Sequence, residues 1–346
     1  MVIGSSFMQL IVKVVLTVVL LSLGYHLLGY IVAVVISTVC AIAWMAIGLR
    51  RKLKSMPSTI TTCNQDLQDA WYKYAKVIYT GSLIGLLAMH LDRFLVGSFG
   101  GVEAVGVLVV VKQLQIMPVI FLQMFLAILA PMLSDAHVRG DNTTRDHLYH
   151  LSIDWVVRLS LPLFIFLIVF GEPVLKLYGD KFASDGLYAL WILLIAQLYN
   201  LVSGPIGMVM NMSGQESKML KTIIWQTFIL LILTAGLIPV YGILGASIAL
   251  GLSTVFNNIL CYYLANKHLK ICWGNKKFLK WIAPAVLGIG AALLIKIFGS
   301  ITPNAYMLFA YLFFLYIIFH GAYFAQGLHD DDKEFMSHVA KKLFKS

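Results

Sequence analysis

A chain of 346 residues that is 60% hydrophobic and 12% charged, with a mean hydropathy of +0.85, lies outside the range of soluble domains, which sit near 45 to 50% apolar and about 25% charged. That composition excludes a soluble globular enzyme and implies a polytopic membrane protein. The formal net charge of +10 gathers in loops between apolar spans, which is a topology signal, so no nucleic-acid partner is expected.

Ten segments are apolar over about 20 residues, the length that crosses a hydrocarbon core as a helix. They are roughly 8–27, 28–49, 75–97, 104–134, 151–171, 183–210, 219–238, 243–267, 279–298 and 303–324. None shows the sustained two-residue alternation of a barrel strand, so the predicted fold class is all-α, with about ten transmembrane helices. The first two spans are close enough that Gly24–Gly29 must be a tight turn, and the chain is expected to start as a membrane hairpin without a cleaved signal.

Loop charge sets the orientation. Nineteen of the 26 basic residues lie in the loop after the second span (Arg50, Arg51, Lys52, Lys54, Lys73, Lys76), in three later loops on the same side, and in the tail. Only Lys176 and Lys181 lie in the opposite loops. The positive-inside rule therefore predicts both termini in the cytoplasm and a multi-pass protein of the inner membrane. Of the basic residues inside spans, Lys13 and Arg158 sit near cytoplasmic ends and can snorkel, whereas Arg93, Lys112 and Lys296 call for another explanation.

The third and fourth spans, His90 to Asp135, read as a helical hairpin with a glycine-rich turn. They place Asp92, Arg93, Lys112, Gln113, Gln115 and Gln123 where hydrocarbon would be, and such groups face a protein interior or an aqueous cavity. Lys112, Gln115 and Gln123 fall within about 80° of one another at 100° per residue, as a polar stripe. Pro118 predicts a kink in this span, and Pro131 its cytoplasmic end. The following stretch, Asp135 to Asp154, carries His137, His147 and His150 and reads as a solvated polar loop. No metal site is expected there.

In the sixth span Gln197, Asn200, Gly204 and Asn211 fall within about 60°, a second stripe that should face the first or share its aqueous space. Gly204, Pro205 and Gly207 predict a bend beside them. Asn257 and Asn258 read as hydrogen-bonding glue between helices. The four cysteines form no pairing pattern, and residues 327–346 suit a short basic amphipathic helix on the inner surface.

The chain also repeats internally. At a constant shift of 216 residues, Tyr25/Tyr241, Leu28/Leu244, Gly29/Gly245, Ala33/Ala249, Ser37-Thr38-Val39/Ser253-Thr254-Val255 and Leu53-Lys54/Leu269-Lys270 match without a gap. The repeat predicts 1–54 as the last two helices of a first lobe, 75–270 as a complete six-helix second lobe, 279–326 as an appended hairpin and 327–346 as a tail. Two lobes with a substrate path between them are a common transporter plan.

The DRFLVG of Asp92 to Gly97, the GGVEAVG turn and the helix bearing Lys112 and Gln115 resemble the start of the second lobe in the polysaccharide (O-antigen, Wzx-type) flippases. These belong to the multidrug/oligosaccharidyl-lipid/polysaccharide (MOP) exporter superfamily. LYGDKF at Leu177 to Phe182 and IPVYGILGASIAL at Ile238 to Leu250 are similar to later landmarks in the same order. The resemblance implies alternating-access translocation of an undecaprenyl-pyrophosphate-linked oligosaccharide, an O-antigen or similar repeat unit of lipopolysaccharide. It implies no cofactor, coupling to a proton or sodium gradient, and a setting that includes membrane lipids, a polysaccharide polymerase and chain-length machinery. Relatives carry twelve or fourteen spans, so the chain is expected to be N-terminally truncated, and an inactive or split fragment of such a transporter is one alternative. An exporter of drugs or of a peptidoglycan lipid precursor is another.

Such a substrate needs cationic and amide groups in a cavity, since arginine and lysine hold phosphate oxygens and amides bond hydroxyls. The expected substrate-binding residues are Asp92, Arg93, Lys112, Gln115, Gln123, Gln197, Asn200 and Asn211. Asp92 also reads as a structural ion-pair member, and Asp92 and Glu103 as ion-coupling carboxylates. A membrane glycosyltransferase would need a sizeable external domain, and the longest loop opposite the basic ones is only about 172–184. No catalytic residue is expected.

Overall fold

A computed structural model of the chain describes residues 2–54, 65–271, 279–299 and 304–327. They form helices α1 (Val2–Ser22), α2 (His26–Lys54), α3 (Gln65–Ile116), α4 (Val119–Val138), α5 (Asn142–Lys176), α6 (Asp180–Ser203), α7 (Ile206–Met212), α8 (Glu216–Leu269), α9 (Leu279–Phe298) and α10 (Ala305–Ala325). Among the described residues there is no strand. The protein is an all-α polytopic membrane protein: among the described residues seven helices are long and apolar enough to cross a membrane, and the bent α4 makes an eighth. The amphipathic tail beyond 327, the loop segments 55–64 and 272–278, and Cys63 and Cys272 within those segments lie outside the described residues.

Two of the helices are hairpins of two arms each, so the ten apolar segments map onto α1, α2, the two arms of α3 (the second continued by α4), α5, α6 with α7, the two arms of α8, α9 and α10. In α3 the backbone reverses at Gly101, whose φ of 79° and ψ of 178° suit only glycine. The reversal brings Lys112 to 2.6 Å from Asp92, twenty positions earlier; a straight helix would separate them by about 30 Å. Gly97 lies so close to Val105 that an added Cβ would sit 3.2 Å from its side chain. In α8 the reversal falls at Gly242 (φ 53°, ψ −125°), where Gly245 packs onto the carbonyl of Leu237. Val96, Leu108, Ile238 and Ala246 form one buried cluster, so the two hairpin turns pack together.

Prolines set the other breaks. Pro118 has no N–H for the Leu114 carbonyl, which takes the Met117 N–H at 3.2 Å instead. The fourth sequence span is therefore two pieces, the second arm of α3 and α4. Buried Ser160 of α5 donates to the Pro118 carbonyl at 3.0 Å. A 46° bend divides α4 between Leu126 and Leu129, where Pro131 crowds the carbonyl four residues before it. Pro173 likewise deprives the Val169 carbonyl of its donor, and Lys296 of α9 supplies one at 3.2 Å. Lys296 thus has a structural task in the membrane that its own helix does not reveal.

The segment expected to be a polar loop between 135 and 154 is mostly helix. Only 139–141 form the turn, because Asp141 caps α5 by accepting from the Thr144 N–H at 2.9 Å and the Thr144 hydroxyl at 2.6 Å. Buried Arg145, in the first turn, reaches the Leu269 carbonyl at the end of α8, at 2.8 Å. The Thr144 and Thr143 hydrogen bonds hold the Asp141 carboxyl well below the usual carboxylate range. Asp141→Ala should therefore melt at a lower temperature than wild type at pH 7. Since the cap acts through the ionised form, that difference should shrink as pH falls below about 4 toward the depressed folded-state value; melting curves of the detergent-solubilised protein check both.

The chain divides into two compact units, Met1–Trp71 and Tyr72–Ser346. The first is the α1–α2 hairpin, turning at Gly24 (φ 83°), with Gly29 packed against Leu20. The second holds α4 to α10 and most of α3, around a core rich in α5 and α6 side chains.

Residues paired by the 216-residue shift share local structure. Gly29 and Gly245 each meet the end of the preceding arm. Ala33 and Ala249 are both fully buried. Ser37 and Thr38 both donate to the Val34 carbonyl, as Ser253 and Thr254 both donate to that of Leu250, and 34 and 250 are themselves one shift apart.

Candidate functional site

A line of polar side chains crosses the second unit from the α3 hairpin to the α6–α7 break. It begins at Asp92, which is fully buried and accepts from Lys112 at 2.6 Å through Oδ2, while its Oδ1 has no partner among the described residues. Arg93, next to it, has a buried Nε in the same condition. One turn beyond Lys112, Gln115 donates to the Oε1 of Gln197 on α6 at 2.6 Å. Three residues on, Asn200 accepts from Asn258 of α8 at 3.0 Å. Asn211 of α7 completes the line, with a buried Oδ1 lacking a partner among the described residues.

The stripes on the fourth and sixth spans thus meet through the Gln115–Gln197 bond. Apolar packing drives helix association weakly in lipid, and such interhelical amide bonds hold the faces together. The same groups offer a polar ligand amides in place of water. Gln123 stands apart: it is exposed on α4, beyond the Met117–Pro118 break, which resets the helical phase used to align it with Gln115.

The α6–α7 break is built by three residues. Gly204 has φ 68° and ψ −165°, and its N–H turns back to the Leu201 carbonyl at 3.0 Å. Pro205 cannot continue the ladder. Tyr149 of α5 donates its hydroxyl to the Ser203 carbonyl at 2.8 Å, satisfying a helix-end acceptor inside the core. A cavity of about 240 Å³ opens beside the break, lined in part by Asn200, Asn211, Asn257 and Asn258. Asn258, read from sequence as glue, is both glue and lining.

A second polar cluster escaped the sequence reading. Arg158 is buried rather than snorkelling, its guanidinium 4.0 Å from the Trp155 ring centroid and 4.5 Å from that of Tyr323 on α10. Asp154, also buried, accepts from the Trp281 indole of α9 at 2.9 Å. Tyr316 of α10 donates to the Leu159 carbonyl at 2.9 Å. These contacts fasten α9 and α10 to α5. Apart from Trp155, three residues before Arg158, the partners lie more than 120 residues away, so only the unusual presence of Asp154 and Arg158 in an apolar run signalled them.

Glu172 pairs with Lys176 one turn along α5, and Glu103, just past the α3 turn, pairs with Lys181 at the start of α6. Among the described residues no group of three or more histidine, cysteine, aspartate or glutamate side chains converges as a metal site would require.

Comparison with known proteins agrees with this architecture. The chain is 23% identical over 227 residues to the probable low-salt glycan biosynthesis flippase Agl15 of Haloferax volcanii, an alignment covering 65% of this chain and 48% of that protein. The chain thus spans about half the length of the curated relative it matches. Its fold is similar to that of the lipid II flippase MurJ in an inward-closed conformation, with a TM-score of 0.67 at 12% identity, covering 93% of this chain and 67% of that one. The family model described as polysaccharide biosynthesis protein matches residues 4–185, more than half of the sequence. The chain belongs to this polysaccharide biosynthesis protein family, on the polysaccharide branch of the MOP superfamily that its sequence resembles.

Proposed function

We propose that the protein translocates a lipid-linked oligosaccharide across the bacterial inner membrane by alternating access, with both termini in the cytoplasm. The glycan would be an O-antigen or similar repeat unit on undecaprenyl pyrophosphate, handed on to polymerase and chain-length machinery. The observation that carries this reading is the continuous polar line from Asp92 and Lys112 through Gln115, Gln197 and Asn200 to Asn211. Within the lobe plan, 75–270 would be the complete six-helix lobe with the α9–α10 pair fastened to it, and 1–54 would belong to the other lobe. Agl15 and MurJ, named as flippases of a glycan pathway and of lipid II, support the substrate class.

The chemistry divides along the line. Lys112 and Arg93 supply the cationic end for phosphate oxygens, and the amides further along serve sugar hydroxyls. Asp92 neutralises Lys112 while no substrate is present. A pyrophosphate, which carries more than one negative charge, competes with that single carboxylate, so binding is strong enough to load and weak enough to release. Driving force would come from a proton or sodium gradient.

Proteoliposomes test the proposal. A short-chain polyprenyl pyrophosphate carrying a lectin-detectable sugar is placed in both leaflets with the purified chain, and lectin accessibility is followed from outside. The expected result is a fall of the protected inner pool with time, slowed at least tenfold by Gln197→Leu. Protein-free rates in the wild-type vesicles would contradict it.

A further inference from the structure

We infer that the cavity beside the α6–α7 break is a subsite for one neutral sugar ring of the translocated glycan, an inference that rests on the flippase reading. Four amides, Asn200, Asn211, Asn257 and Asn258, line it, with Pro205 and Leu126 as apolar wall, and no lysine, arginine, histidine, aspartate or glutamate is among its lining residues. Without a cation in the wall it has nothing to hold a phosphate, and without a carboxylate it is a poor cage for a metal ion. Size points the same way. About 240 Å³ is roughly eight times the 30 Å³ share of one water in the liquid, the scale of a ring with its hydroxyls rather than of an ion ringed by oxygens at about 2.3 to 2.6 Å.

The hydrogen-bond inventory suits a ligand that both donates and accepts, since each of the four amides carries an Nδ2 donor pair as well as an Oδ1 acceptor. Asn258 spends its Nδ2 inward, on Asn200 Oδ1 at 3.0 Å and on the Thr254 carbonyl at 2.9 Å. Asn211 Oδ1 is buried without a partner among the described residues and needs an O–H or N–H. A sugar offers hydroxyl donors on its edge and C–H groups on its face, which match the amides and the Pro205–Leu126 wall. The cationic end at Lys112 and this cavity then hold opposite ends of one head group, phosphates at one and a ring at the other.

The test uses the full chain in lipid nanodiscs and two probes, a short-chain polyprenyl pyrophosphate bare or carrying one sugar, with glucose and N-acetylglucosamine as the sugars. Wild type is expected to hold a glycosylated probe about five- to tenfold tighter than the bare one, the worth of one or two hydrogen bonds. Asn211→Leu should erase that preference and leave the bare probe unchanged; Asn257→Leu, on α8, is the second variant if the first does not fold. Equal binding of bare and glycosylated probes by wild type, or equal weakening of both by the variants, overturns the subsite alone. Failure of both probes to bind overturns the flippase reading with it. A sugar preference that disappears when choline replaces sodium, and is indifferent to Asn211→Leu, assigns the cavity to a cation and also overturns it.

Discussion

Replacing Gly204 with alanine is expected to cost about 2 to 5 kcal/mol of stability, enough to leave the protein largely unfolded or misassembled in the membrane. Two penalties combine. The backbone at Gly204 has φ 68° and ψ −165°, a region held almost only by glycine, worth about 1 to 3 kcal/mol of strain for any other residue. An added Cβ would also overlap the Ile153 side chain and stand 3.3 Å from the Tyr149 ring. Tyr149 cannot retreat without releasing the Ser203 carbonyl. Gly290→Ala is the control: its Cβ meets nothing within 4 Å, so little should change. Gly204→Ala with Ile153→Ala should recover the steric part only. Thermal and denaturant unfolding in detergent measure all three; a Gly204→Ala protein as stable as wild type would contradict the account of the break.

The second large effect concerns the Asp92–Lys112 pair. Lys112→Met leaves a fully buried carboxylate without its counter-charge, and Asp92 Oδ1 already lacks a partner among the described residues. Removing one member of a buried pair typically costs about 3 to 5 kcal/mol, whereas replacing both by apolar groups is often near neutral. The expectation is therefore a destabilised Lys112→Met and a double variant, Asp92→Leu with Lys112→Met, restored close to wild type. Transport separates structure from function: the double variant should fold and yet translocate poorly, having lost the cation proposed for phosphate. A double variant as unstable as the single one would show that the pair does not interact as its 2.6 Å separation indicates.

Much of this was legible in the sequence, for identifiable reasons. Hydropathy and the glycine-rich turn sufficed for the α3 hairpin, because a reversal inside an apolar run needs a positive φ and Gly101 supplies it. Spacing along single helices found the stripes that meet at Gln115 and Gln197. It failed at Gln123, since counting 100° per residue assumes an unbroken helix and Pro118 breaks it. The extent of α5 was missed because the polar residues at 142–150 suit both a loop and a helix projecting beyond the apolar layer, and the Asp141 cap decides between them. The long-range partners of Lys296, Arg158 and Asp154 were beyond sequence reasoning for another cause: they are a carbonyl freed by Pro173, an aromatic ring on α10, and an indole on α9. Only the packing of α9 and α10 on α5 brings them into reach.

The most direct test of the polar line as a water-facing path is cysteine accessibility. In a chain whose own cysteines are replaced by alanine, single cysteines at Gln115, Gln197, Asn200 and Asn211 are treated in membranes with a charged, lipid-insoluble thiol reagent. Cysteines at Phe94, Ile195 and Leu252, all exposed on apolar helix surfaces, serve as lipid-facing references. The account predicts labelling at the four polar positions, slowed by a glycosylated polyprenyl pyrophosphate, and little at the three references. Silence at the polar positions, or labelling no faster than at the references, would mean that these amides only bind helices together and that the path lies elsewhere.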